Sequence, residues 1–240
     1  MQKILGLVRK VCEGYNMIES GDKIAIGVSG GKDSVVLLMA LSLMRKFYPV
    51  NYQVVAITLD PCFGGISTDY SQITDLCTKL DVEYKIIPTQ IGEIIFDVRK
   101  EENPCSLCAR MRRGALHDAA KELGCNKIAL GHHGDDALET FTMNLFTEGR
   151  IGCFSPVTYL SRKDITMIRP MILAEEYMIK SAVKRNGLPV VKSKCPADGY
   201  TNRQRVKDLL WELEQKDKGL RNRMFGALQR SGIDGWKQLK

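Results

Sequence analysis

Lys23-Ile-Ala-Ile-Gly-Val-Ser29-Gly30-Gly31-Lys32-Asp33-Ser34 decides how the rest of this chain is read. A short apolar run that ends in Gly and Ser has the pattern of a strand buried in a parallel sheet. The two glycines that follow let the backbone turn tightly and let a ligand approach with no Cβ in the way. From Asp33 to Lys46, residues Val35, Val36, Leu37, Leu38, Leu41 and Met44 recur at helical spacing. Strand, glycine turn and helix start, in that order, present consecutive amides and a partial positive charge to an anion. Ser29 and Ser34 add hydroxyls, Lys32 adds a full positive charge, and Asp33 can organise the loop or help to hold Mg²⁺. The spacing is not that of a Walker-type loop.

Working outward, the pattern predicts strands over 52–59, 84–88, 127–130 and 165–169. It predicts helices over 70–80, 108–123, 135–147 and 175–186, the last closed by Gly187. Strand and helix alternate, which implies an α/β fold with a parallel sheet wrapped on both faces. Ligands in such folds bind beyond the carboxyl ends of the strands, where the strand order switches. Met1 to Ser20 reads as an amphipathic helix rather than a signal peptide. Arg203 to Arg230 reads as one or two further helices with a break at Gly219. The expected organisation is an N-terminal helix over 1–20, a core over 21–200 and a basic helical extension over 201–240.

Composition narrows the class. The chain has 240 residues, 44% hydrophobic and 26% charged, enough for one sizeable α/β domain and an appendage. No apolar run approaches a membrane span, so a cytoplasmic location is expected. The net charge is +7, and residues 201–240 carry ten Lys/Arg against five Asp/Glu. A basic tail of this kind suits either a phosphate backbone or a solvated helical face. Eight cysteines in a chain of this class argue against a disulfide framework.

Two more segments carry chemistry. Gly131-His132-His133-Gly134-Asp135-Asp136 follows the strand at 127–130 and opens a helix. Its small residues permit close approach of a nucleotide, and Asp135 or Asp136 can cap the helix. The end of the strand at 52–59 offers Ala56, Thr58, Leu59 and Asp60 for base and ribose contacts. Cys105-Ser-Leu-Cys108 follows Pro104 and opens a basic helix containing Arg110, Arg112 and Arg113. Two cysteines at a helix start meet at one point, and the dipole should lower their thiol pKa. Zinc, a redox pair and a cluster all remain open for this motif. Zinc wants a fourth ligand, and no second pair is present. Downstream, Cys195-Pro196 follows Leu188-Pro-Val-Val191, a candidate strand end. Cys12, Cys77 and Cys125 fit packing roles. Cys62 and Cys153 lie in loops near the expected active edge.

Ser-Gly-Gly-Lys-Asp-Ser over 29–34 resembles the PP-loop ATP pyrophosphatase superfamily, whose fold is Rossmann-type and adenine nucleotide alpha hydrolase-like. Pro-Cys-x-x-Cys-x-x-x-Arg-Arg-Gly from Pro104, the Gly131–Asp136 segment, Ile168-Arg169-Pro170 and the single Cys195-Pro196 together resemble the TtcA-type tRNA 2-thiocytidine synthetase family. The resemblance implies an enzyme that uses ATP and Mg²⁺ to adenylate the C2 carbonyl oxygen of a tRNA base, an anticodon-loop cytidine in that family, and replaces it with sulfur. It implies that Cys105, Cys108 and Cys195 hold a 4Fe-4S cluster with one iron open for sulfur. Ser29 to Ser34, Thr58, Leu59, Gly131, His132 and Asp135 would bind the nucleotide. Asp136, Lys32 and Arg112 would act in catalysis. It also implies a sulfur donor, such as a cysteine desulfurase or free sulfide, and a homodimer. Here the downstream site is Cys195 alone, with Asp198 three residues later. The 2-thiouridine branch carries zinc fingers, absent here, and a lysine where Arg112 stands. Competing readings are a cluster-free PP-loop amide ligase, such as lysidine or NAD synthetase, a 2-thiouridine synthetase, and a non-catalytic sulfur carrier or zinc-stabilised RNA-binding module.

Overall fold

The computed structural model describes residues 1–99, 104–192, 194–196 and 202–239. Asp198 and the expected boundary at 200/201 therefore lie outside the described residues. Six strands form one sheet: β1 (Lys23–Gly27), β2 (Gln53–Asp60), β3 (Glu83–Pro88), β4 (Lys127–Ala129), β5 (Val157–Leu160) and β6 (Ile165–Ile168), in the order β3-β2-β1-β4-β6-β5. The chain builds β1, β2 and β3 toward one edge, then returns to add β4 on the other side of β1. The switch in strand order thus falls between β1 and β4. The phosphate loop and the His-His loop leave the sheet there.

The sheet is not wholly parallel. β5 pairs antiparallel with β6, Val157 opposite Ile168 and Leu160 opposite Ile165. This edge strand escaped the sequence pattern because its four residues are neither strongly apolar nor alternating. Leu188 to Val191 forms no strand; instead the Val191 amide donates to Gly30 O at 3.0 Å.

Helices cover both faces: α1 (Gln2–Gly14), α2 (Lys32–Met44), α3 (Ser71–Lys79), a single turn α4 (Ile91–Glu93) running into a π-helical turn at Ile94–Val98, α5 (Pro104–Glu122), α6 (Gly134–Thr147) and α7 (Glu176–Asn186). The period-2 alternation of the strands divides the core. Ile24 and Ile26 of β1 and Val54 and Ala56 of β2 join α1, α2 and α7 in the larger cluster. Ala25, Val55, Ile57 and Leu59 face the other way and pack with Ala119 and Ala120 of α5. The amino end of the sheet is tied by an ion pair, Lys127 Nζ to Asp22 at 2.8 Å, with both side chains buried.

The C-terminal segment adds α8 (Asn202–Lys216) and α9 (Leu220–Arg230), with Gly219 at φ +83° between them. Val206 and Leu210 of α8 bury against Leu138 of α6. Trp236 is fully buried in the main core and donates its indole N–H to Phe154 O at 2.8 Å. No described helix is long and apolar enough to cross a membrane.

Candidate active site

A cavity of about 400 Å³ opens at the carboxyl edge of the sheet, at the switch between β1 and β4. Its deep wall is apolar: Ile57 and Leu59 from β2, Ile128 and Leu130 around β4, Leu116 from α5 and Met167 from β6. Its rim is polar: Ser29, Asp33 and Ser34 from the first loop, His132 and Asp136 from the second, and Arg112 and Arg113 from α5. A slot floored by hydrocarbon, ending in hydroxyls, amides and arginines, suits a flat heterocycle joined to an anionic tail.

The first loop is shaped by its glycines. Gly30 sits at φ +83°, and a Cβ there would lie 2.9 Å from Val191 Cβ, so a side chain is excluded twice. The Ser34 hydroxyl donates to Gly31 O at 2.9 Å and accepts the Ser29 amide at 3.2 Å. Gly31 is the N-cap of α2 and supplies no side-chain cap, so the first-turn amides keep room for an anion. Lys32 does not line the cavity. Its ammonium lies 3.0 Å from Asp33 and 3.3 Å from Glu176 at the start of α7. Burial works to lower its pKa, but these two carboxylates outweigh it and the pKa is raised.

The second loop is organised by a capping box, with His133 as the N-cap and Asp136 as its acidic partner. His133 is the N-cap of α6, and its amide donates to Asp136 Oδ2 at 2.9 Å. Its buried ring sits among three carboxylates: Nε2 is 3.6 Å from Asp33 and 3.5 Å from Asp136, and Nδ1 is 3.4 Å from Asp135. Burial disfavours the imidazolium, but the bond to Asp135 and the charges of Asp136 and Asp33 prevail and raise its pKa. Asp135 turns away from the cavity. It accepts the Glu176 amide at 2.7 Å and pairs with Arg221 of α9. Its pKa falls to about 2: burial acts to raise it, and the His133, Glu176 and Arg221 contacts overcome that. Asp136 does line the cavity, with Oδ1 held by Arg203 of α8 at 3.2 Å. Gly131 serves close packing, because a Cβ there would meet backbone atoms of Asp33 and Ser34 at 3.1 Å.

Alternation sorts the candidates from β2. Leu59 faces the cavity, whereas Thr58 is fully buried on the opposite face and donates to Val28 O at 2.6 Å. His132 lines the cavity and lies 4.9 Å from the Phe154 ring, over which Arg169 also sits at 5.1 Å. Burial, then Arg169 and Arg203, push its pKa down to about 3, so it is a neutral imidazole.

On α5, Cys105 precedes Ala109 and Cys108 precedes Arg112 by one turn, and Ala109 and Arg112 line the cavity. α5 begins at Pro104, so Cys105 and Cys108 both fall within it. The expected dipole lowering is not what Cys108 experiences. Burial raises its pKa, and the charges of Cys195 and Cys105 raise it further against the opposing charge and hydrogen bond of Arg112. Cys105 and Cys195 are thus both electrostatic neighbours of Cys108. Among the described residues, no three His, Cys, Asp or Glu side chains are drawn to one point as a metal site. The donor chemistry is nonetheless of the kind that holds an iron–sulfur group: the Cys105 and Cys195 thiols lie within electrostatic reach of half-buried Cys108, and Arg112 stands beside it to offset thiolate charge. Cys12, Cys77 and Cys125 are buried in the core as expected, and Cys153 is pushed up to about 12 by burial.

Glu176, Arg203 and Arg221 are the site residues that sequence reasoning missed. Each meets the loops from a helix far along the chain, and no local pattern marks such a contact. His133 alone carried a signal, its place just before a helix start.

Comparison with known proteins matches residues 4–213 to a family model described as a PP-loop domain. A protein of Pelobacter propionicus named tRNA-cytidine(32) 2-sulfurtransferase is 41% identical over 224 residues, covering 92% of this chain and 82% of that one. Its namesake in Syntrophotalea carbinolica is 39% identical over 230 residues, covering 95% and 88%. Among solved structures, the U34-tRNA thiolase NcsA from Methanococcus maripaludis with its 4Fe-4S cluster superposes with a TM-score of 0.75 at 27% identity, covering 93% of this chain and 77% of that one. An NH3-dependent NAD synthetase from Campylobacter jejuni, at 20% identity and a TM-score of 0.52 with coverage of 94% and 91%, shares the fold.

Proposed function

Because the chain belongs to the PP-loop domain family, among relatives named tRNA-cytidine(32) 2-sulfurtransferase, we propose that it uses ATP to replace the C2 oxygen of a tRNA cytidine with sulfur. The observation that carries this is the pairing of two features: a cavity rimmed by the PP-loop and, next to Ala109 and Arg112 of its lining, Cys108 within electrostatic reach of Cys105 and Cys195. An amide ligase needs the first and has no use for the second.

The adenine fits the apolar slot and the triphosphate the first-turn amides of α2, with Ser29 and Ser34 as hydroxyl donors. Lys32 meets the phosphates by turning from Glu176, and Mg²⁺ is accommodated by Asp33, whose Oδ1 is buried without a hydrogen-bond partner. The base carbonyl oxygen attacks the α-phosphorus and pyrophosphate leaves. Loop amides and Lys32 absorb the charge that builds up. Asp136, at the cavity rim, orients the reacting groups, and Arg112 faces both the cavity and Cys108. Sulfur then replaces the adenylated oxygen at the same carbon, and AMP departs. A cluster on Cys105, Cys108 and Cys195 would supply an iron able to carry that sulfur.

The target base must be unstacked to reach the cavity, so a single-stranded loop suits it. Arg110, exposed on α5, together with Arg112 and Arg113 would hold RNA phosphates at the entrance. A sulfur donor such as a cysteine desulfurase or free sulfide, a homodimeric state and a cytoplasmic location belong with this activity. The test is mass spectrometry of tRNA nucleosides from cells lacking the protein. Loss of 2-thiocytidine is expected; an unchanged 2-thiocytidine level would refute the assignment.

A further inference from the structure

Five carboxylates gather around the two loops: Asp33 and Asp136, which line the cavity, and Asp135, Glu139 and Glu176 beside them. A site for a polyanion needs that charge offset. Lys32 and His133 come from the two loops and Lys180 from α7, 3.3 Å from Glu176, and three more cations come from the C-terminal helices. Arg203 and Lys207 of α8 reach Asp136 and Glu176, and Arg221 of α9 reaches Asp135. Arg203 touches Asp136, which with Asp33 is one of the two members of the set that line the cavity. Its Nη1 lies 3.2 Å from Asp136 Oδ1, its Nη2 3.4 Å from Thr140 Oγ1 and its Nε 3.9 Å from Glu139 Oε2.

We infer that Arg203 is a positioning residue for Asp136 and that α8 is part of the catalytic machinery rather than only a basic RNA-binding tail. Asp136 is held from two sides, Oδ2 by the His133 amide at 2.9 Å and Oδ1 by Arg203. Two holds on opposite oxygens stop rotation of the carboxylate and fix the face it turns to the cavity. Arg203 also screens Asp136 from buried Glu139, one turn further along α6. Without it, two like charges at i,i+3 would push the carboxylate off its bearing. This inference rests on the assignment of Asp136 to the adenylation step.

The test measures steady-state pyrophosphate release with a tRNA transcript for Arg203→Ala, Arg203→Lys, Asp136→Asn and the Arg203→Ala/Asp136→Asn pair. Arg203→Ala should lower kcat by about 10–100-fold, the usual loss when an outer partner of a reacting group is removed. KM for ATP and for tRNA should hardly move. Arg203→Lys should regain part of the rate, and the pair should be no slower than Asp136→Asn alone. Leu210 and Val206 still anchor α8 in all of these, so melting curves should stay close to wild type. A rise in KM for tRNA at unchanged kcat would make Arg203 a phosphate contact and overturn the inference, as would additive losses in the pair. Full activity of Asp136→Asn would instead remove the assignment of Asp136 on which the inference stands. A slow Asp136→Asn beside a fast Arg203→Ala would sink the inference alone.

Discussion

Gly131→Ala tests how the two halves of the nucleotide site are pressed together. A Cβ at this position would lie 3.1 Å from Asp33 C, 3.1 Å from Ser34 N and 3.2 Å from Asp33 O. All three are backbone atoms at the start of α2, and none can swing aside as a side-chain tip would. Moving from 3.1 Å to ordinary contact at 3.4 Å requires the loops to part by about 0.3 Å. Forcing one carbon into such a contact costs about 1–3 kcal/mol. In a domain of this size that lowers Tm by roughly 2–10 °C. The same parting separates the PP-loop from Asp136, so turnover should fall by about tenfold. Gly114→Ala is the control. It lies in α5 with nothing within 4 Å of the added carbon, and should stabilise by about 0.5–1 kcal/mol through helix propensity alone. Differential scanning calorimetry and pyrophosphate release read both effects. If Gly131→Ala melts and turns over like wild type, the close approach of the two loops is wrong.

Other perturbations probe other parts. Lys127→Met strands buried Asp22 without its cation and should cost about 3–5 kcal/mol in urea denaturation; a loss under 1 kcal/mol would mean water reaches Asp22. Glu176 is held down to about 2: burial acts to raise its pKa, and Lys207 and Lys32 reverse that. A depressed carboxylate adds stability above its ordinary pKa near 4.5, and that stability is lost as pH falls toward 2. Glu176→Gln should therefore flatten the acid limb of the Tm–pH curve between those values, and an unchanged limb would refute the pairing. Affinity for tRNA should fall steeply with salt, with a shallower slope for Arg110→Ala; a flat response in the wild type would argue against a phosphate-backbone contact.

The sequence made the nucleotide half of the site legible because its signals are local. A glycine turn between a strand and a helix fixes backbone geometry within six residues, and strand–helix alternation dictates where such turns gather. β5 went unseen because an edge strand of three half-buried residues and one exposed tyrosine carries little periodicity. Thr58 and Leu59 were grouped together, although strand alternation sends them to opposite faces. Lys32 and Asp135 are expected at the ligand from the sequence, yet Glu176 and Arg221 pair with them. Those partners lie 144 and 86 residues away along the chain, beyond the reach of any local pattern. Cys108 shows the same limit. Its helix position suggested a lowered thiol pKa, and only the packing around it reveals that burial prevails.

Cys195 stands within electrostatic reach of Cys108 of α5, and the proposed sulfur transfer turns on its joining that thiol and Cys105 at one metal centre. The direct measurement is iron and acid-labile sulfide content, with the electron paramagnetic resonance of the reduced protein, for anaerobically purified wild type and Cys195→Ala. Wild type should carry a full 4Fe-4S complement, and Cys195→Ala should lose it while binding ATP as tightly as before. A Cys195→Ala protein that keeps its iron and still thiolates tRNA would contradict the three-thiol site.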